Sequence, residues 1–463
     1  MAGRRKILLL LPARRLWPWH DRLAAKLAAS HDLVVAKVDS PSYPPTIRLR
    51  RPTAARSQAV PADEFDLIID LSERAAAPPG RVLRPHYDGS ADSLALIGRL
   101  QRGECPLLDI VEGGAIVASS YAATGGGARL EERLDVVFAR VEAILLRALA
   151  GRAMPLSDRP SRAPAAFSPA LRLKDAARRL AGRMVAPLRR SRGYWHWNVA
   201  LLRADDPAAL ADFDPAAYRP LQVDPEVFYA DPFVAERGGR HYLFAEACPY
   251  ATGKGVIVCA EVADGSPGPF RTVLERPWHL SYPYVFDLGG QTYLMPESGA
   301  RGGVDIFRAI DFPDRWELER TLLEKVPLVD STLFEHQGRL WLLAGVGTPG
   351  GSDWDELFAW HAPALEGPWT AHARNPIKSD CRSARPGGRP LRIGGRLIRP
   401  AQRCEQAYGE ALVWLEISEL TPDSFEEAVA AEWRMDGQGR SGPHCADLAG
   451  ALRALDFRTV ISA

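Results

Sequence analysis

The chain predicts an α/β, Rossmann-like N-terminal domain followed by an all-β five-bladed propeller. Two observations lead there. Short apolar runs alternate with helical segments over residues 1–150, and a unit of strand, glycine turn and strand recurs after Trp195. Length agrees, since 463 residues exceed one ordinary domain. So does composition: ten of the twelve tryptophans lie at or after Trp195, which marks two compositional halves.

Residues 6–11 form a short apolar run of the buried-strand kind, 21–30 a helix rich in Leu, Ala and Lys, and 33–38 a second strand. Residues 65–71 (FDLIIDL) read as a third strand and 115–119 as a fourth. Across 130–149, Leu134, Val137, Val141, Ile144, Leu145 and Leu149 fall on one helical face. Strands separated by helices predict a parallel sheet. PARRLW follows the first strand where a dinucleotide fold carries its glycines, so no nicotinamide or flavin site is expected.

Residues 151–192 read as a Pro/Ala/Arg-rich linker. Its 171–192 stretch carries Arg172, Lys174, Arg178, Arg179, Arg183, Arg189, Arg190 and Arg192 against Asp175. Such a segment is either a solvated bridging helix or a peripheral contact with an anionic membrane surface.

The repeat is the strongest signal. Segments 229–246, 280–297, 329–345 and 383–402 share one pattern, with turn glycines at Gly239, Gly290, Gly338 and Gly395. A spacing of about fifty residues suits propeller blades. The runs 195–202 and 411–417 are expected to pair as a fifth blade built from both ends, which removes exposed sheet edges. The propeller then spans 193–430, and 431–463 is a tail packing on it.

Lys plus Arg (58) nearly balance Asp plus Glu (57), which leaves no global basic field for nucleic acid. No apolar stretch reaches the roughly 20 residues of a membrane span or the roughly 7–15 of a signal core. The six cysteines are dispersed without a C-x-x-C pair, so we expect reduced thiols in a cytoplasmic protein, in contact with the inner face of the membrane if 171–192 binds it.

Inner strands of a propeller line its shaft, so residues at matched positions converge. Aligning the repeats puts Asp231, Tyr282, Ser331 and Arg385 in register, with Ala230, Ser281, Asp330 and Ala384 just before them. The second strands end in Glu246, Glu297, Gly345 and Gln402. The expected pocket holds Asp231, Asp330, Glu246 and Glu297. Carboxylates crowded together push at least one pKa up, the asymmetry that acid–base work on a glycosidic bond needs. The alternative is that Asp231 and Asp330 only bond turn amides. Arg385, Arg399, Lys254 and His279 are expected to form a cationic wall, with Tyr282 and Gln402 completing the substrate contacts. Trp195, Trp197, Trp278, Trp354 and Tyr284 are expected near blade mouths, Trp278 on substrate. Trp316, Trp341, Trp360, Trp369 and Trp414 read as inter-blade core. No histidine pair has zinc-site spacing, and a divalent cation on Asp231, Glu246 and Asp330 stays open.

HWNVALL, YADPF, GKG, RPWHLSYPYVF, MPES, VDSTLF, HAPALEGPW, SARPGG, RPAQ and YGEAL occur in that order. With them, residues 193–430 resemble the N-terminal propeller domain of the plant glucosamine inositolphosphorylceramide transferases and their bacterial relatives. The A-D-P start, the Asp of the third blade and the blade count also resemble the furanosidase propellers, the arabinanases, xylosidases and fructosidases. The first 150 residues resemble a degenerate formyltransferase-like domain without a clear Asn-x-His and Asp set. The furanosidase resemblance implies Asp231 as general base, with Asp330 orienting it or tuning a pKa. It also implies an acid where SARPGG places Arg385. Arginine does not donate a proton at neutral pH, but it grips phosphate bidentately. The expectation is therefore glycosyl transfer from a phosphate-activated or nucleotide sugar, in surface glycan or glycolipid assembly. A glycoside hydrolase using Glu297 or Glu246 as acid is the first alternative. A non-catalytic glycan-binding module is the second, since the plant enzymes carry their transferase chemistry elsewhere.

Overall fold

The computed structural model describes residues 4–12, 16–38, 64–74, 78–125, 129–152, 154–171, 194–204, 210–435 and 439–461. The basic stretch from 172 to 192 lies outside them. Two compact units emerge: Met1–Ala181 with Thr348–Ser352, and Gly182–Gly347 with Asp353–Ala463. Among the described residues no helix is long and apolar enough to cross a membrane.

The first unit is α/β. Its strands are β1 (Lys6–Pro12), β2 (Asp32–Val38), β3 (Leu67–Asp70), β4 (Val82–Tyr87), β5 (Leu107–Glu112) and β6 (Ala115–Tyr121), in the order β2-β1-β3-β4-β5-β6. Helices α1 (Pro18–Ser30), α2 (Ser93–Gln101) and α3 (Leu130–Leu149) accompany them. β1 is buried after Lys6, as its continuous Ile/Leu run requires of a strand covered on both faces. The stripe on α3 packs into the same core.

The expected parallel sheet holds only through β4. The β4–β5 and β5–β6 pairs are antiparallel, and Gly113–Gly114 closes the last hairpin with both φ values positive. β4 escapes a hydrophobicity search because VLRPHY is no apolar run. Its Arg84 is buried in an ion pair with Asp70 of β3.

The second unit is a propeller of five sheets. In blades 1 to 3 the two innermost strands are Val227–Arg237 and Arg240–Pro249, Ser281–Leu288 and Gln291–Glu297, then Leu328–His336 and Arg339–Val346. Blade 4 orders Leu391–Ile393, Arg396–Arg403, Ala411–Leu420 and Phe425–Trp433. In all four the hairpin turn is a residue pair with positive φ: Gly238–Gly239, Gly289–Gly290, Gln337–Gly338 and Gly394–Gly395. Two-residue turns with that geometry match strand twist, which is why glycine recurs there. Trp316, Trp341, Trp360 and Trp414 are buried in apolar clusters as expected, with Trp369 packed against one.

Closure differs from expectation. Tyr194–Arg203 pairs along its length with Leu452–Ile461, not with 411–417, which lies inside blade 4. Ala446–Ala449 adds to the inner side of this blade and Arg219–Pro220 to the outer. Residues after 431 are therefore no packed tail, since they finish blade 4 and form half of blade 5. The closing strand reads LRALDFRTVI, with charges inside an apolar alternation. Its Asp456 is wholly buried, so hydropathy alone does not mark it as core.

Deleting residues 452–461 removes the partner of Tyr194–Arg203 and opens the ring. The truncated chain should lose its cooperative melting transition by circular dichroism. Unchanged cooperativity would show that closure is dispensable.

Candidate functional site

The site sits where inner strands begin. Ala230, Ser281 and Val329 pair with Glu246, Glu297 and Gly345, and the ladder slips just after each pair. The displaced residues are Asp231, Tyr282 and Asp330, with φ of 50°, 45° and 50°. Non-glycine residues seldom adopt this left-handed conformation unless their surroundings hold them there. The shared geometry corrects the sequence register by one: Asp330, not Ser331, is the counterpart of Asp231. In blade 4, Gln402 donates its backbone N–H to the Arg385 carbonyl (2.8 Å).

Three charged groups result. In the first, His444 stands between two acids, with Nε2 3.0 Å from Asp231 Oδ1 and Nδ1 2.9 Å from Asp456 Oδ2. Burial opposes the imidazolium, but Asp456 and Asp231 outweigh it and lift the His444 pKa to about 10. Burial likewise works against ionised Asp231. The His444 charge and hydrogen bond, then Arg385 and the Tyr282 N–H (3.2 Å), hold it below its ordinary value.

The second group centres on Arg385. Its Nε donates to Asp330 Oδ2 (2.5 Å) and its Nη1 to Asp353 Oδ2 (3.0 Å), and Nη2 lies 3.9 Å from Glu297. Gln402 Nε2 also donates to Asp330 Oδ2 (2.7 Å). Burial raises the Asp330 pKa, and Arg385 reverses this only in part. Burial, and then the Asp330 charge, push the Glu297 pKa well above its ordinary value and so favour its neutral form.

The third group is Glu246 with His279, 3.1 Å apart. Burial raises the Glu246 pKa, and the Asp231 charge adds to it. Each group has its own base, yet the carboxylates still repel across the groups, since the Asp231 charge raises the pKa of both Glu246 and Asp330.

Neither three-donor cluster fits a resident cation. Asp231, His444 and Asp456 converge, as do Glu246, Cys248 and His279. His444 is an imidazolium with both nitrogens facing acids. His279 accepts the Gly255 N–H at Nδ1 (2.9 Å) and faces Glu246 at Nε2. Burial pushes the Cys248 thiol up to about 11, away from the thiolate a metal needs. The set of Asp231, Glu246 and Asp330 fares no better, with its acids committed to His444, His279 and Arg385.

The expected cationic wall is not assembled. Arg399 is buried in blade 4, bonded to Glu427 (2.6 Å) and the Ser383 carbonyl (2.7 Å). Lys254 pairs with Glu275 (2.7 Å). Tyr282 serves through its backbone, while its buried hydroxyl meets Thr332 (2.9 Å) and accepts the Gly388 N–H (2.8 Å). Trp278 packs against the apolar core and Tyr284 is buried within it. Trp195 is exposed beside Arg458. Trp197 and Trp354 do reach the site, next to Tyr408.

His444, Asp456, Asp353 and Tyr408 carry much of the site and were not anticipated. The only trace of His444 in sequence is SGPHCADL, a turn followed by a short strand.

A five-bladed propeller with convergent carboxylates at its shaft mouth is what fold and site define. Its sequence relatives agree with the motif resemblance. Residues 217–443 match the family described as glucosamine inositolphosphorylceramide transferase 1, N-terminal. The chain is 38% identical over 208 residues to glucosamine inositolphosphorylceramide transferase 1 of Arabidopsis thaliana, covering 44% of this chain and 27% of that protein. The Oryza sativa subsp. japonica protein of the same name is also 38% identical over 208 residues, covering 44% and 28%. The chain thus spans about a quarter of the length of these relatives. Among solved structures, Zg3597, a family 117 glycoside hydrolase of Zobellia galactanivorans, aligns with a TM-score of 0.37 at 12% identity, over 57% of this chain and 90% of that one. An exo-β-1,3-galactanase of Clostridium thermocellum aligns at 0.37 and 11%, over 50% and 59%. The family match lies within the propeller, and the formyltransferase resemblance rests on sequence alone.

The His444 pair gives a pH signature. Its pKa rises from 6.5 to about 10 on folding, so its contribution is full below 6.5 and lost as pH climbs through 10. His444→Gln should lose about 3–5 kcal/mol at neutral pH, the cost of stranding a buried charge. It should also lose this alkaline decline. Parallel wild-type and variant stability curves across that window would contradict the assignment.

Proposed function

We propose that the propeller is carbohydrate-active and performs chemistry at a glycosidic bond, with glycosyl transfer as its reaction. One observation carries this reading: Asp231 against His444 and Glu297 beside Arg385 and the Asp330 N–H open on one mouth, the first favoured charged and the second favoured neutral. A base and an acid kept apart in protonation are what bond exchange at an anomeric carbon requires. Asp231 accepts the proton of the attacking hydroxyl, and Glu297 is the neutral carboxyl beside the leaving oxygen. The family match is to the N-terminal part of the transferases, so their name supports carbohydrate activity and the choice of transfer rests on Arg385.

A phosphate-activated or nucleotide-sugar donor needs Arg385 to meet an anion. Asp353 is the exchangeable partner, since its side chain is 41% exposed against 3% for Asp330. A phosphate oxygen replacing Asp353 on Nη1 would receive a charge-assisted bond as the leaving group departs. We place this activity in the cytoplasm, in assembly of a surface glycan or glycolipid, with residues 171–192 at the membrane. The second reading, hydrolysis of a neutral glycan, is favoured by the carboxylates already on Arg385. Glu246 would then be the acid.

Calorimetric titration of nucleoside diphosphates separates the two. Asp353→Asn should tighten binding by unmasking Arg385. Arg385→Lys should weaken it by roughly ten- to a hundredfold, the value of one charge-assisted bond at about 1.5–3 kcal/mol. Asp231→Asn should abolish turnover. Absence of nucleotide binding, together with sugar release from an oligosaccharide, would replace transfer by hydrolysis.

A further inference from the structure

We infer that Trp197, Tyr408 and Trp354 form an aromatic wall along which successive sugar rings of a neutral saccharide chain pack. The site then takes a glycan of at least two units and not a lone monosaccharide. This rests on the carbohydrate reading above and adds the length and charge of the substrate.

The three rings come from three blades. Trp197 lies on Tyr194–Arg203 of blade 5, Tyr408 on the connection between Arg396–Arg403 and Ala411–Leu420, and Trp354 just before Glu356–Ala362 of blade 3. Tyr408 contacts both tryptophans, with centroids 6.3 Å from Trp197 and 5.4 Å from Trp354. All three are half-buried, unlike the wholly buried Trp341 and Trp414 between blades. The wall borders the reacting groups: Trp197 is 4.1 Å and Tyr408 5.3 Å from the His444 ring, and the Arg385 guanidinium lies 5.1 Å from Tyr408. Arg458 backs Trp197 at 5.3 Å. Cations against aromatic faces fix the rings from behind.

The wall is a built feature. Gly409, with φ of 57°, presses its backbone onto His444, and a Cβ there would lie 2.4 Å from the His444 Cβ and 3.4 Å from the Trp197 ring. Only glycine lets the chain approach so closely, and that approach seats Tyr408 between Trp197 and Trp354.

Two features select saccharide over nucleobase. The rings meet at 82° and 42°, so they offer no parallel-sided slot for a flat base. Sugar rings present C–H faces to such a corrugated surface and hydroxyls to the acids beside it. Around the wall, Asp231, Asp330, Asp353 and Asp456 outnumber Arg385, His444 and Arg458, which disfavours a polyanionic chain. Three large rings drawn from three blades offer more apolar surface than a single pyranose covers, hence the chain.

The test is an array of neutral glycans graded from one to four sugar units, probed with the full chain and with variants whose melting matches wild type. Wild type should prefer chains of two or more units over the matching monosaccharide. Trp354→Ala and Tyr408→Ala should each weaken chain binding roughly five- to tenfold, and Tyr408→Phe, which keeps the ring, should retain it. If an alanine variant does not fold, Trp354→Leu and Tyr408→Leu replace it. Chain binding unchanged in the variants, or no dependence on length, overturns the wall and leaves the carbohydrate reading standing. Loss of nucleoside diphosphate binding with glycan binding intact assigns the rings to a base and also overturns it. No glycan bound and no turnover removes the carbohydrate reading and the wall with it.

Discussion

The buried carboxyl of Asp456 is the constraint on which both ring and site depend. Its Oδ1 accepts the backbone N–H groups of His444 and Cys445 (both 3.0 Å), and its Oδ2 accepts the Asp231 N–H (2.9 Å) and faces His444 Nδ1 (2.9 Å). One side chain of the last strand therefore ties that strand and the connection leading into Ala446–Ala449 to the inner strand of blade 1. A carboxylate out of water is costly unless its lone pairs are filled, and here each oxygen has two partners. Asp447 repeats the device lower down, with Oδ2 accepting the Val234 N–H (2.9 Å) and both oxygens facing Arg389. The ring is clasped by acids on its closing blade, and the upper clasp also charges the histidine against Asp231.

The same logic holds the left-handed residues. Asp456 takes the N–H of Asp231, Asp231 Oδ2 takes the N–H of Tyr282, and Glu297 takes the N–H of Asp330 (2.9 Å). Carboxyl groups from neighbouring strands thus hold the strained amides around the shaft. Asp231 does bond a turn amide, the structural role that competes with catalysis in a sequence reading. One oxygen serves Tyr282, and the other faces His444. Its strained backbone and its charge have a common origin in the clasp.

Features with a local cause were legible in sequence. Glycine turns follow from hairpin twist, buried strands from apolar runs, and the four candidate carboxyls from repetition. Features with a tertiary cause were not. A bulge shifts side-chain parity by one, so an ungapped alignment of repeats sets Ser331 where Asp330 belongs. Arg399 and Lys254 looked available for substrate, yet Glu427 and Glu275 claim them from distant positions. β4 and the closing strand hide because buried ion pairs interrupt their hydropathy. His444 hides because its partners lie on two other strands.

Arg385 and Glu297 make the mouth a charge balance and not a cationic trap. With Glu297 pushed toward its neutral form, the guanidinium is shared between Asp330, almost wholly buried, and Asp353, which reaches solvent. An anion arriving at Nη1 would replace one negative group by another, so the net charge around the arginine would barely change. A neutral sugar would leave Asp353 in place and meet the same carboxyls. Asp353, on the connection before Glu356–Ala362, is thus the group that sets what the arginine faces on its solvent side.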